Sequence, residues 1–394
     1  MKKLSLTVIG IYIVMLAAFS QNNPKADTAY KSRKLKLEEV NLVSSYYRQD
    51  GNNATVTGGI GSEKLTDISN TIDLTISKYD KKYQKHKLTL EFGIDHYTSA
   101  SSDQIDPKTI SSASSEDTRF YPSLGWTVEN ERKGTTWGAG ISYSGEFDYS
   151  SIGANVTYSK KTNNRNGELT LKGQAFFDQV SLIYPEELIS GRGSLGSSSR
   201  TSFNGAVGWN QIINKRLQMS VDAEIVSQHG YLSLPFHRVY FDDNTAHIEK
   251  LPSQRLKFPI GLRASYFIGD KFIVRSWYRF YHDNWGINSN AVQLETVIKL
   301  TPFFSITPFY RFYQQTGSTY FAAYREHTNR DDYYTSNFAL SAFNSQFFGA
   351  GIRIAPPKAL IKAIRLQALE LRYGHYDRTT NLNANIISLH LKFK

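Results

Sequence analysis

From Arg255 to Tyr266 apolar and polar residues alternate without a break: Leu256, Phe258, Ile260, Leu262, Ala264 and Tyr266 hold one parity, and Arg255, Lys257, Pro259, Gly261, Arg263 and Ser265 the other. A period of two marks an extended strand with one apolar and one wet face. The same rhythm returns from about residue 38 to the last residue, so a long series of two-faced strands has to be satisfied. A closed membrane barrel does this, because the apolar parity meets lipid and the polar parity a lumen.

The bulk numbers agree. At 394 residues the chain is long for one soluble core but ordinary for a large all-β barrel. Lys2 and Lys3 precede an apolar stretch from Leu4 to Ala18, and Ala18 and Ser20 are the small residues expected before a cleavage at Gln21. Residues 1–20 are therefore expected to be a secretory signal peptide, 21–37 a flexible periplasmic lead-in, and 38–394 an outer-membrane β-barrel. No later segment offers the uninterrupted apolar run of about 18 residues that a membrane helix needs, and mean hydropathy is negative. A barrel escapes that test, since only alternate residues face lipid. Cysteine is absent, which excludes a disulfide scaffold, a thiol nucleophile and cysteine zinc sites.

A net charge of +11 raises the question of nucleic acid, but the distribution argues against it. Many basic residues fall in short turns: Lys81, Lys82 and Lys85; Arg132 and Lys133; Lys160, Lys161 and Arg165; Lys215 and Arg216; Lys271; Lys358 and Lys362. These would share one rim, either beside anionic lipid headgroups or simply solvated.

The alternation places strands at about 38–48, 69–79, 86–97, 119–130, 135–146, 149–160, 167–178, 203–213, 216–228, 255–268, 271–284, 290–301, 303–315, 345–355, 367–376 and 383–394. That number is even, as in single-chain bacterial barrels with both termini on the periplasmic side. Tight connections and outer loops then alternate, with long outer loops near 49–68, 98–118, 179–202, 229–254 and 316–344. A soluble β-sandwich would alternate too, but it has no reason to sort its loops by side. Trp126, Trp137 and Trp209 near inner turns, and Trp285 at an outer end, suit interfacial girdles. The segment from Lys358 to Leu366 reads as a longer turn, because the phase flips near Ala368. At the end Ile387, Leu389, Leu391 and Phe393 share a face, and an aromatic near the C-terminus is common in outer-membrane barrels. Insertion by the barrel assembly machinery and contact with outer-membrane lipid are expected of such a chain.

With the apolar parity facing lipid, the other parity lines the lumen. The first nine strands contribute Glu39, Asp73, Glu91, Asp95, Glu129, Glu146, Glu168, Asp222 and Glu224, against Lys87 and Lys172. The last seven contribute Lys257, Arg263, Arg275, Arg279, Lys299, Arg311, Arg353, Arg372 and Lys392, against Glu295 and Glu370. One wall is thus acidic and the other basic, and a field across the lumen would tune which solutes pass. Two readings stay open: an open, polarised channel, or charges paired within a lumen that the loops 229–254 and 316–344 constrict.

Catalytic and metal signatures are missing. His96 lies between Asp95 and Ser99, and His282 before Asp283, but sequence neighbours on a strand point to opposite faces. No Gly-x-Ser-x-Gly, His-Glu-x-x-His, phosphate-loop or dinucleotide pattern occurs. The loop with Asp103, Asp106, Glu116 and Asp117, and the one with Asp50, Asn52 and Asn53, lack calcium-loop spacing. No cofactor is expected. The tyrosine-rich stretch from Tyr320 to Tyr334 reads either as a docking surface or as loop packing.

Three segments carry a family resemblance. They are Ser44-Ser45-Tyr46-Tyr47-Arg48-Gln49-Asp50-Gly51 with Ala54-Thr55-Val56-Thr57-Gly58-Gly59-Ile60-Gly61, then the run from Ile110 to Arg119, and Tyr334-Thr335-Ser336. The chain resembles the DUF3570-like family of uncharacterised Bacteroidetes outer-membrane β-barrel proteins. The resemblance implies a barrel and an outer-membrane address, with no established activity and no catalytic residues to carry over. Genes for a small lipoprotein, a flavin transferase and a thioredoxin-like protein often lie near members, which implies a lipoprotein or redox partner. A porin-like channel for small polar or charged solutes is the first expectation, a structural or docking barrel the alternative, and a barrel hydrolase the weakest.

Overall fold

The computed structural model describes residues 34–98, 116–189, 194–356 and 366–394. The signal peptide, most of the lead-in, Ser99, Asp103, Asp106, Lys358 and Lys362 lie outside them.

The alternating segments form the strands β1 (Lys36–Gly51), β2 (Leu65–Tyr79), β3 (Lys85–Tyr97), β4 (Asp117–Asn130), β5 (Thr135–Gly145), β6 (Tyr149–Lys161), β7 (Gly167–Ile183), β8 (Ser194–Asn214) and β9 (Leu217–Gly230). After a loop hairpin of β10 (Arg238–Tyr240) and β11 (Ala246–Ile248) come β12 (Gln254–Ile268), β13 (Phe272–Asp283), β14 (Asn288–Thr301) and β15 (Phe304–Gln315). The chain ends with β16 (Phe343–Ile354), β17 (Leu366–Arg378) and β18 (Leu382–Phe393). All but β10 and β11 join one closed antiparallel ring of sixteen strands, sealed where β1 pairs with β18 from Val40↔Phe393 to Gly51↔Leu382. Closure leaves no sheet edge, so every strand finds its hydrogen bonds inside the ring. Among the described residues the helical pieces are single 3₁₀ turns at Thr55–Thr57, Glu186–Leu188 and Phe338–Leu340. None is long and apolar enough to cross a membrane.

The two parities separate as the sequence predicts. Phe258, Ile260, Leu262 and Tyr266 of β12 are exposed on the outside, while Pro259 and Gly261 between them are buried. Ile141, Ile152, Val156, Ile225 and Ile387 continue the apolar outer wall. Trp126, Trp137 and Trp209 also point out, as girdle residues should. Trp285 does not. It is 2% exposed, sits under the Arg255 guanidinium at 4.3 Å and donates Nε1–H to the Gln254 carbonyl, so the outer-girdle expectation fails for it.

The barrel begins at Lys36, two residues before the expected 38, and its first bulge lies between Leu37 and Glu39. The phase flip near Ala368 is also a bulge, because the β17–β18 register shifts between Leu366 and Ala368. An extra residue there re-aims the strand without ending it. β7 and β8 run well past the predicted 178 and 203. The 229–254 loop, expected as an irregular connection, contains the β10–β11 hairpin.

Candidate functional site

The lumen is identified by bonds that no outer face could make. Arg372 on β17 reaches Glu295 on β14 at 2.7 Å past two intervening strands, and Lys161 on β6 reaches Glu129 on β4 at 3.3 Å past one. Such chords pass only through the enclosed space. The strand registers put the expected lumen residues on this same parity: Asp73 stands opposite Glu91, Asp222 opposite Gly261, Arg275 opposite Glu295, and Arg372 opposite Gly351.

On the acidic wall, several carboxylates have partners that the sequence reading did not count. Asp95 receives the Tyr121 hydroxyl at 2.8 Å and lies 3.5 Å from Arg119. Tyr121 reaches it by lying flat across Gly93, where a Cβ would collide with the ring. Glu129 has Lys161 and, at 3.8 Å, Lys87. Asp178, buried at the end of the predicted strand, takes Arg200 Nε at 2.7 Å, and Arg200 also donates to the Tyr149 hydroxyl at 3.2 Å. Glu39 joins Lys392 at 2.5 Å across the β1–β18 seam, where the acidic and basic arcs meet. Glu224 accepts only an amide, that of Asn204 at 3.1 Å, while Glu168 and Asp222 hold no ion pair among the described residues.

The basic wall is organised around two carboxylates. Glu295 is nearly buried and holds Arg275 at 2.9 Å as well as Arg372, which also approaches Glu370 at 3.4 Å. Asp283 accepts from Arg255 Nε and Nη2 at 2.9 and 2.6 Å, from the Tyr281 hydroxyl at 2.7 Å, and from the amides of Trp285 and Ile287 at 3.0 Å. Its oxygens are fully used. Arg263, Arg279, Lys299 and Arg353 are exposed to the lumen with no ion pair among the described residues. Among the described residues Arg311 has only a neutral acceptor, Gln293 Oε1 at 2.8 Å, and the rings of Trp277 and Phe347 at 5.3 and 5.6 Å. Lys257 faces the same space.

Over the outer mouth lies a strap. The β9–β12 loop springs from one point of the ring, and β1 and β2 stand at the opposite point, since as many strands separate β12 from β1 as β9 from β2. Arg238 of that loop donates Nη1–H to the Val56 carbonyl in the β1–β2 loop at 3.2 Å and Nε–H to Glu187 at 2.5 Å. The strap therefore spans the mouth. Bridges Phe241↔His327 and Lys250↔Tyr334 bind it to the β15–β16 loop, and Phe241, His247, His327 and Tyr334 pack as one aromatic cluster. Most of the tyrosine-rich stretch is thus used in loop packing; Tyr333 remains exposed.

Inside the strap the Glu249 carboxyl is almost fully buried. It accepts from Thr335 Oγ1 and the Leu234 amide, each at 2.6 Å. Burial pushes its pKa up to about 7, against the lowering effect of those two bonds. His237 comes within 4.0 Å, but burial, with Arg238 adding to it, pushes its pKa down to about 3, so the imidazole is neutral and the contact is no ion pair at neutral pH.

Two cavities lie under the outer loops. One, about 460 Å³, lies against the acidic wall between Pro235 and His237 of the strap and Glu146, Asp148 and Arg200. The other, about 370 Å³, lies under Ala339 and Leu340 against Trp277, Arg279, Arg311 and Tyr313. His237 lines the first cavity but makes no hydrogen bond to Glu249 at 4.0 Å, and among the described residues no base hydrogen-bonded to a carboxylate lines either cavity. His282 faces outward, stacked on Phe258 and bonded to Asn288, while Asp283 points inward; His96 bonds Thr118.

No curated protein matches the sequence. Among solved structures the chain is similar to Acinetobacter baumannii OccAB1 at 10% identity and a TM-score of 0.47, covering 94% of this chain and 99% of that one. It is similar to Pseudomonas aeruginosa OccK1 (OpdK) at 9% identity and a TM-score of 0.44, covering 91% and 98%. A BenF-like porin from Pseudomonas fluorescens Pf-5 is similar at 8% identity and a TM-score of 0.42, covering 89% and 97%. At such values no solute or mechanism passes from those proteins to this one. The family described as "Protein of unknown function (DUF3570)" matches residues 95–379, a span that includes the strap and most of the ring. Of the resembling segments, Ile110–Arg119 and Tyr334–Ser336 fall within it and Ser44–Gly61 lies before it. The chain belongs to the DUF3570 family.

Proposed function

We propose that the protein is a porin-like outer-membrane channel for small polar or charged solutes, passive and without chemistry, whose lumen has one acidic and one basic wall. The observation that carries this reading is that Arg279 and Arg275 point into the ring yet stay well exposed, so the enclosed space is wet and not filled by protein. The apolar outer wall would meet lipid, and the strap would set the size limit at the mouth. Reconstitution into planar bilayers tests it: discrete conductance steps support the channel, and a folded barrel without steps refutes it.

A docking barrel is the second reading. Leu234, Phe147, Ile60 and Tyr333 are exposed on outer loops, where an apolar contact with a lipoprotein or redox partner would bury them. Polar substitution of these four would release a co-purifying partner and leave the barrel closed.

A further inference from the structure

The cavity against the basic wall gathers two arginines for which no carboxylate is at hand. Several lumen arginines come with carboxylates: Arg255, which also lines this cavity, with Asp283, Arg275 and Arg372 with Glu295, and Arg200 with Asp178. Here Arg279 and Arg311 line one cavity of about 370 Å³ without a carboxylate between them. Arg311 spends Nε on Gln293, which leaves its two terminal nitrogens as donors. The neighbouring hydroxyls are already committed, Tyr281 to Asp283 and Tyr313 to Gln315 Oε1 at 2.6 Å, while the Gln315 amide is held by the carbonyls of Ala339 and Ser341. The unused hydrogen-bonding capacity of the cavity is therefore donor capacity, and cationic. Besides Arg255 and Ser289, whose hydroxyl bonds Tyr313, the lining is apolar or aromatic: Ile287, Ala291, Ala339, Leu340 and the Trp277 ring beneath Arg311.

We infer that this cavity is a binding site for a small organic carboxylate, its head between Arg279 and Arg311 and its apolar body against Trp277, Ile287 and Leu340. A planar guanidinium presents paired donors matched to a carboxylate, and an aromatic floor favours a flat body over a hydrated inorganic ion. The site lies on the lumen wall under Ala339 and Leu340 of the β15–β16 loop, where a solute passing the mouth would dwell. The inference names a solute class for the proposed channel and rests on that reading. Its test needs no conduction: a barrel that binds but does not conduct loses only the channel, and one that conducts but does not bind loses only the site.

The experiment is titration calorimetry on the purified, folded full-length barrel with phenylacetate, its neutral isostere phenylacetamide, and inorganic phosphate. Saturable phenylacetate binding is expected, weaker by about tenfold or more for phenylacetamide and for phosphate. Arg279→Gln/Arg311→Gln should lower the affinity by about tenfold or more, while Arg263→Gln/Arg353→Gln on the same wall away from the cavity leaves it within about twofold. Retained heat-modifiable gel mobility verifies that each variant is closed, and Arg279→Lys/Arg311→Lys, which keeps the charge and removes the fork, should fall between. Equal binding of phenylacetamide, phosphate binding as tight as phenylacetate, the same loss in both glutamine pairs, or no binding at all would each overturn the assignment.

Discussion

The two walls of the lumen handle charge differently. On the acidic wall, cations from neighbouring strands come to the carboxylates: Lys161 and Lys87 to Glu129, Arg119 to Asp95, Arg200 to Asp178. On the basic wall, Glu295 and Asp283 are saturated, and Arg263, Arg279, Lys299 and Arg353 are left over. Paired charges are accounted for by the need to satisfy groups removed from bulk water. Unpaired arginines in a wet lumen add nothing to closure, and they are what makes the two walls differ toward a passing ion. The division is one of degree, since Glu168 and Asp222 on the acidic arc also hold no ion pair among the described residues.

The largest change should come from removing what lies across both walls. Replacing residues 235–249 by a short Gly-Ser turn removes the segment that crosses the mouth and uncovers the cavity at the acidic wall, and single-channel conductance should rise by about twofold or more; an unchanged conductance would mean that the strap does not limit flow. Next is reversal of the unpaired side. Arg279→Glu with Arg311→Glu should move the reversal potential in a salt gradient toward cation preference by on the order of 10 mV, whereas Asp222→Lys on the other wall moves it the opposite way. Equal effects of the same sign would erase the distinction between the walls.

A third change tests the paired side of the basic wall. Glu295→Gln leaves Arg275 and Arg372 without their carboxylate and should cost about 3 kcal/mol of barrel stability in denaturant unfolding, with a gain in anion preference. The smallest effect is local. Because the Glu249 pKa is raised, the strap favours its neutral form; that contribution is complete below the ordinary carboxylate range and is lost as pH rises through about 7. Hydrogen exchange in the strap, corrected for intrinsic rates, should quicken between about pH 5 and 8, and Glu249→Gln should flatten the profile.

The ring was legible in the sequence because period-two patterning is enforced wherever one face meets lipid and the other water. Even the bulge near Ala368 showed, as a break in phase. The strap did not, since β10 and β11 are three residues each and pack within loops, where neither lipid nor lumen imposes alternation. Arg200 escaped for a related reason: it sits on a strand end that extends beyond the apolar belt, where pattern fades. Trp285 was misplaced because an outer-end aromatic looks the same in sequence whether it anchors in lipid or folds under Arg255. Which charges pair depends on chords across the ring, and Arg372 to Glu295 is a contact that no strand-by-strand reading contains.

On the proposed function the lumen conducts and its unpaired arginines bias what passes. Bilayer recordings of the purified, folded protein in a salt gradient address both at once. Discrete steps with anion preference, weakened by Arg279→Glu/Arg311→Glu, are the predicted result; a folded barrel that gives no steps, or steps indifferent to those two residues, would contradict it.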